Sequence, residues 1–579
     1  MKKKAKAKLI ARGPVRTMIV IGALVLAGVA LGLLIWNTQR ARIGALAVSE
    51  VAAQSTPPAA AAAAIPAPVS TPAPVSTPTP VSVPPDLSAT AAPGAQPGRE
   101  KLALRYRVYE NGKQVKDYRR SDPIDFSPDA PYAAVPGVLT FRGGAMRANA
   151  GYGALAKAPK KLEVLWKVRV GHIDEWGGVG WTGQPSLVEW PENVRKVMNI
   201  TPAKREKDGL VEVIYAALDG KIRFLDLADG EETRPSIDIG APIKGSVSVD
   251  PRGYPLLYCG QGIPTVGGRQ VKIGMRIFSL IDQKVLLFLN GKDEKRTRNW
   301  YAFDASPLVD ARTDTLLQVG ENGLVYAIKL NTRFDQAAGT LAIAPEVTQY
   351  AYKSAITKRP GMENSLAVYH NRGYFCDNSG LLTCLDMNTL TPIWAFNVGD
   401  DTDATCALEQ TDAGVFLYTG NERDLRKGVG NIEMRCLDAL TGQEKWMHQV
   451  GVTNKTQGGA FASPVLGQQN LRDYVYFNIA KTSKGGTLYA FDKLTGESAW
   501  TLQLGRYSWS TPVCVYDKAG DGYLVVGDSG GRLRLVDGQT GTVIDEISLG
   551  SNIEGSPAAF DDMVVVGTRG GRIYGVKIT

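Results

Sequence analysis

The stretch LYAFDKLTGESAWTLQLG, residues 488–505, decides the fold. An alternating run ends in Asp492, a Thr-Gly turn follows, and a second run carries Trp500 and ends in Gly505. The chain rewrites this phrase as LTCLDMNTLTPIWAFNVG (382–399), MRCLDALTGQEKWMHQVG (434–451) and LRLVDGQTGTVIDEISLG (533–550). Repetition of this kind marks a stacked or radial architecture. A small-residue step precedes each phrase and opens an apolar strand. The steps are Gln184-Pro185, Ser246, Ser306-Pro307, Ser365, Thr405, Ser463-Pro464, Thr511-Pro512 and Ser556-Pro557. They recur about every 40–60 residues, at or slightly above the period of β-propeller blades. Hairpins such as YLVVGDSGGRLRLVD (523–537) lie between opening and phrase, so each unit reads as a four-stranded meander, A to D.

The expected fold is therefore all-β, an eight-bladed β-propeller over residues 161–579. The last unit, 556–579, stops after its third strand, and KLEVLWKVRVG (161–171) supplies the missing fourth, with Trp166 placed like Trp500. Such a closure removes the exposed sheet edges. Blades 2 and 3 match the phrase poorly, and seven blades is the alternative count. Asp386, Asp438, Asp492 and Asp537 read as caps of the C–D turns, and Gly442, Gly496 and Gly541 as positive-φ positions. Trp394, Trp446 and Trp500 read as packing between blades.

The 579 residues carry a formal charge of +9, from 66 Lys and Arg against 57 Asp and Glu. Nine of the basic residues fall within residues 1–42, which hold no acid. The remaining chain is neutral, which argues against a nucleic-acid-binding face. Residues 1–16 read as a basic cytoplasmic tail. Residues 17–36, TMIVIGALVLAGVALGLLIW, form an uncharged run near the ~20 residues that span a bilayer. The charge bias places the N-terminus in the cytoplasm and the rest outside. The expectation is an uncleaved, single-pass anchor helix in the cytoplasmic membrane; cleavage after Ala47, in Ala45-Leu46-Ala47, is the rival. Residues 37–98, rich in Pro and Ala, read as a disordered stalk. Residues 99–160 read as a small accessory β element, with a hairpin at Asn111-Gly112.

Six Cys form no C-x-x-C, and three His lie far apart with no ligand spacing. No metal site or His-dependent triad is expected. Cys376 and Cys384 flank one hairpin, but pairing is not readable from sequence. Residues just before each opening should ring the mouth of the central channel: Trp181, Lys244, Phe303, Glu363, Asp403, Phe461, Trp509 and Glu554, with Asp304, Asn364 and Tyr507 beside them. This mixture of aromatics and charges suits a ligand or partner site; the alternative is a plug of packed aromatics. Three long B–C loops (260–274, 419–431 and 479–486) should join that face. One carries Arg423, Arg426 and Lys427.

The D-x-x-T-G-x-x-x-W phrase resembles the pyrroloquinoline quinone (PQQ)-type repeat. That repeat builds the propellers of quinoprotein alcohol dehydrogenases and of the assembly lipoprotein BamB. VLTFRGGAMRANAGYG (138–153), WGGVGWTGQPSLVEWP (176–191) and VDPRGYPLLYCGQG (249–262) look like membrane-anchored PQQ-like propeller proteins of Gram-positive anaerobes. For the dehydrogenases the resemblance implies a vicinal Cys-Cys disulfide over the quinone, yet no two Cys are adjacent here. It also implies a calcium held by Glu, Asn and Asp beside a catalytic Asp. Glu363, Asn364, Asp403 and Asp304 are the available residues, and no motif directs them. For BamB it implies a lipid-bearing N-terminal Cys, but the first Cys is Cys259. The functional expectation is a non-enzymatic binding or scaffold propeller at the cell envelope, without cofactor, whose partner is an envelope protein or cell-wall polymer. The alternatives are a quinone- and calcium-dependent dehydrogenase and a polysaccharide-binding or polysaccharide-cleaving propeller.

Overall fold

A computed structural model describes residues 90–92, 95 and 102–579, apart from 182, 427 and 454–456. The anchor segment 17–36 and most of the stalk lie outside the described residues. Among those described, no helix is long and apolar enough to cross a membrane.

Eight four-stranded antiparallel sheets succeed one another along the chain. Counted from the first opening they span 186–238, 248–290, 308–353, 367–397, 407–452, 465–503, 513–548 and 558–578. The eighth is completed by Leu162–Arg169, which pairs antiparallel with Arg572–Ile578 from Leu162↔Ile578 to Arg169↔Arg572. Blades 2 and 3, whose phrases are degenerate, are complete sheets; burial pattern and topology sustain them without the repeat's signature residues.

The signature residues form a clasp between neighbouring blades. The indole N–H of Trp166, Trp394, Trp446 and Trp500 donates to a backbone carbonyl of the following blade, at Leu227, Ala439, Lys493 and Gly538, over 2.8–3.1 Å. The turn glycine of that following blade lies flat on the ring. A Cβ at Gly496 would stand 2.6 Å from Trp446, and one at Gly541 2.5 Å from Trp500. These glycines also hold φ near +70°, so both backbone conformation and contact exclude a side chain. Directly across the C–D pair from each Trp stands a small residue: Cys384, Cys436, Ala490 and Gly575. Two of the six thiols are thus explained as small apolar residues facing an indole. All six cysteines are free and buried, and Cys384 faces Tyr374 rather than Cys376.

The Ser and Thr openings form a second belt. The N–H of Gln184, Ser306, Ser365, Thr405, Ser463 and Thr511 each donates to the hydroxyl of the next blade's opening residue, at 2.8–3.1 Å. A hydroxyl at this step satisfies a backbone donor that the A strand has not yet enlisted.

The segment before the propeller departs from the expected accessory element. Arg105–Glu110 and Lys113–Val115 do form a hairpin, which extends blade 3 along Glu346–Lys353. The Gly-rich stretch that follows runs inside the ring of innermost strands and visits the blades in order. Gly137–Val138 pairs with blade 1. The carbonyls of Leu139, Ala145, Met146, Ala148 and Ala150 accept from Val249, Val368, Leu408, Leu466 and Ala559, in blades 2, 4, 5, 6 and 8. Thr140 donates to Pro307 of blade 3, and Asn149 bonds both backbone groups of Cys514 in blade 7. Two fully buried arginines anchor this plug. Arg147 donates to the carbonyls of Leu366, Phe141 and Ser306 and to the Thr140 hydroxyl; Arg142 donates to those of Pro512 and Ala148. Burial pushes both guanidiniums down to about 9, so they stay charged at neutral pH. Two described residues of the stalk also dock: Ala92 donates to Thr441, and Ala95 is buried against Gly442.

Candidate functional site at the channel mouth

The plug closes the channel on the side of the A–B turns, where Ala134 and Tyr152 bond Pro251 and Asp561. The opposite end, where A strands begin and B strands finish, is the mouth. Between plug and mouth lies an axial cavity of about 30 Å³, floored by Phe141 and lined by Ser246, Asp304, Glu363, Ser365, Asp403 and Ser463 among others.

One side of the mouth is aromatic. Trp509 stacks on Phe461 at 5.1 Å, meets Trp181 edge-on at 5.9 Å and touches Tyr507 at 5.4 Å. The Lys244 ammonium sits 4.2 Å from the Trp181 ring centre, and Lys481 lies 5.4 Å and 5.6 Å from Tyr507 and Trp509. Such contacts contribute about 0.5–2 kcal/mol each. Glu554 takes the Asn552 amide at 2.8 Å and stands 3.8 Å from Arg569; burial nevertheless raises its carboxyl.

The other side is acidic, in two sets of three carboxylates. In Asp304, Glu321 and Glu363 the facing oxygens lie within 4.8 Å of one another, as they do in Asp401, Asp403 and Glu422. The first set has cations: Lys244 reaches Asp304 at 2.7 Å and Glu363 at 3.9 Å, and Arg298 reaches Glu321 at 3.6 Å. Burial raises Glu363, but Lys244, Glu321, Arg298 and the Trp181 N–H outweigh it and hold this carboxyl below its ordinary value. Glu321 goes the other way, raised by burial and then by Glu363 and Asp304. The second set has no ion pair among the described residues. Burial, then the neighbouring acids, push Asp401, Asp403 and Glu422 well above the usual carboxylate range.

Most of the residues expected at the mouth are brought together there. Trp181, Lys244, Asp304, Glu363, Asp403, Phe461, Tyr507, Trp509 and Glu554 all take part in the contacts above. Phe303 does not line the opening: it is fully buried, 5.8 Å from Tyr326 in the core between blades 2 and 3. Asn364 is committed to backbone, donating to Cys376 and Thr402 and accepting from Cys376. Of the three long loops, 479–486 is instead a tight hairpin between Tyr474–Thr482 and Gly485–Asp492. The basic loop folds onto acids of its own, with Arg426 at 3.2 Å from Asp400 and 3.0 Å from Glu433; Lys427 lies outside the described residues. Glu321, Asp401 and Glu422 were not anticipated. Glu321 and Glu422 follow B strands, which return to the same end as the A-strand openings, so strand polarity was the available signal.

A family model described as the outer membrane protein assembly factor BamB matches residues 321–506 and 484–579. Residues 321–579 thus carry PQQ-like β-propeller repeats. No curated protein matches it. Among solved structures, BamB from Moraxella catarrhalis is similar at 15% identity and a TM-score of 0.44, over 72% of this chain and 98% of that one. The quinohemoprotein alcohol dehydrogenase ADHIIG from Pseudomonas putida HK5 gives 12% and 0.49, over 78% and 81%. A europium-containing methanol dehydrogenase gives 13% and 0.38, over 76% and 98%. A shared propeller does not carry a shared function.

A quinone does not fit this PQQ-like propeller as it stands. The axial cavity of about 30 Å³ is an order of magnitude below the ~300 Å³ at which small-molecule sites begin. All six thiols are free and buried, so no disulfide covers the mouth. A surface groove of about 480 Å³ lies elsewhere, between the outer parts of blades 5 and 6 near His448, Tyr489 and Gln503.

Proposed function

We propose that this protein is a membrane-anchored, extracytoplasmic binding propeller, non-enzymatic, that docks an envelope protein or cell-wall polymer at its channel mouth. The observation that carries this reading is the asymmetry of the channel. One end is filled by the chain's own segment 137–152, bonded to every blade in turn. The other end keeps an aromatic wall and a charged wall with buried polar groups still unmet, among them the Trp509 indole N–H. Aromatic anchors beside charged groups are the usual make-up of a binding hot spot. The apolar run 17–36 and the Pro-rich stalk support display outside the cytoplasmic membrane.

The test is capture by the full-length protein from its own envelope fraction, with cross-linking at the mouth. The double substitution Trp509→Ala and Glu554→Gln should abolish capture while leaving the unfolding transition cooperative. Unchanged capture by a folded double variant would remove the mouth from the interface.

A further inference from the structure

We propose that Asp401, Asp403 and Glu422 hold a hard divalent cation, calcium by preference, at the channel mouth. Oxygens bound to calcium lie 2.3–2.6 Å from it, so any two of them stand no more than about 5 Å apart. The three facing carboxylate oxygens are within 4.8 Å of one another. They require no rearrangement beyond side-chain adjustment to share one ion.

Charge separates this set from its neighbour. Asp304, Glu321 and Glu363 are already served by Lys244 and Arg298. Asp401, Asp403 and Glu422 make no ion pair among the described residues; Lys244 acts on Asp403, and Lys481 interacts with Glu422, only at longer range. Buried carboxylates without a countercharge are costly and must take up either protons or a cation.

The independent observation is what these side chains leave unmet. Glu422 is 3% exposed, and its Oε1 has no hydrogen-bond partner; Asp403 Oδ1 is likewise without one. Native proteins rarely bury such atoms unsatisfied, and an absent ion is one of the ordinary reasons. The Glu422 backbone is fixed from both sides, its N–H donating to the Asp401 carbonyl and its strand pairing Glu422↔Gly459. Asp403 also borders the axial cavity. A volume of that size admits a water, and calcium sites routinely complete their shell with water. Calcium takes about 6–8 oxygen ligands in flexible geometry, whereas magnesium demands near-octahedral geometry at about 2.0–2.1 Å, so a set of carboxylate oxygens up to 4.8 Å apart suits calcium better.

The experiment is a calorimetric titration of chelator-stripped, full-length protein in detergent with calcium chloride. Thermal unfolding with and without the ion accompanies it. The expected result is one calcium per chain and a higher unfolding temperature with the ion, since a ligand that binds the folded state stabilises it. Glu422→Gln and Asp401→Asn should each weaken binding at least about tenfold, because charge count sets affinity in such sites. Glu321→Gln, in the neighbouring set, should leave binding intact. In chelator Glu422→Gln should unfold no earlier than the unsubstituted protein, which distinguishes a lost ligand from a damaged fold. No heat and no thermal shift at millimolar calcium would overturn the proposal. So would an equal response to magnesium, or loss of binding through Glu321→Gln but not Glu422→Gln. A negative titration leaves the docking reading untouched, since capture at the mouth is scored separately.

Discussion

The two ends of the channel bury charge in opposite ways. At the plugged end Arg142 and Arg147 are among the largest fully buried side chains of the described residues, yet their bonds go to carbonyls and a hydroxyl at 2.7–2.9 Å. No acid is needed, because several oriented carbonyls together solvate a guanidinium. At the mouth the buried charges are carboxylates crowded against one another, with donors missing at Glu422, Asp403 and Glu321. The contrast separates architecture from site. A buried charge whose bonds are met within the chain holds the fold, and one whose bonds are unmet waits for something from outside.

The largest effect should come from breaking the satisfied end. Arg147→Ala removes four charge-assisted hydrogen bonds and orphans the carbonyls of Leu366 and Ser306. Charged hydrogen bonds contribute about 1.5–3 kcal/mol each and are not additive, so a loss on the order of 4 kcal/mol is expected. Arg142→Ala should cost less, because Arg142 makes two such bonds and its Nε is already unmet. Denaturant unfolding of both variants measures the difference. Equal losses, or losses under about 1 kcal/mol, would mean that the plug is an ornament rather than a tie among blades.

The satisfied end was the harder one to read from sequence. Arg142 and Arg147 sit in FRGGAMRAN, where no period or motif places an arginine at the centre of a ring. Their partners come from Leu366 and Pro512, more than 200 and 300 residues away. The blades were legible because the repeat states its own geometry: Asp caps the turn, Gly admits the indole, and Trp reaches the next blade. A fifth turn glycine, Gly230 of blade 1, holds φ near +70° and lies on the Trp166 ring, where a Cβ would stand 2.7 Å away; this clasp is hard to read because its two halves lie in the last and first blades of the ring. At the mouth, A-strand openings found Asp304, Glu363 and Asp403. They missed Glu321 and Glu422, whose positions depend on where B strands end. Phe303 was misplaced for a related reason: adjacency to the opening fixes the backbone but not the face to which a side chain turns.

A smaller effect should appear in the pH dependence of stability, and it sharpens the same contrast within a single residue. Asp377 lies at the end of a B strand beside the mouth and is fully buried. Its carboxylate accepts the N–H of Ser379 and Leu381 at 2.8 and 2.9 Å and the hydroxyls of Tyr352 and Thr357 at 3.0 and 3.2 Å. Burial outweighs those bonds and raises its pKa to about 6. The folded value therefore lies above the unfolded value of about 3.9, and the folded state binds the extra proton. Its contribution to stability is fully present below about pH 4 and is lost as pH rises through 6. A two-unit shift corresponds to about 3 kcal/mol at most. Asp401, Asp403, Glu422 and Glu321 are raised in the same direction, so in chelator the protein should grow more stable from pH 7 to pH 5. Excess calcium should flatten that slope by replacing protons at the second carboxylate set, while leaving the Asp377 step in place. Thermal unfolding across that range, with and without calcium, separates the two contributions. If stability in chelator instead falls steadily with acid over this range, the mouth carboxylates are held as paired anions, and the two ends of the channel do not differ in the way their geometry implies.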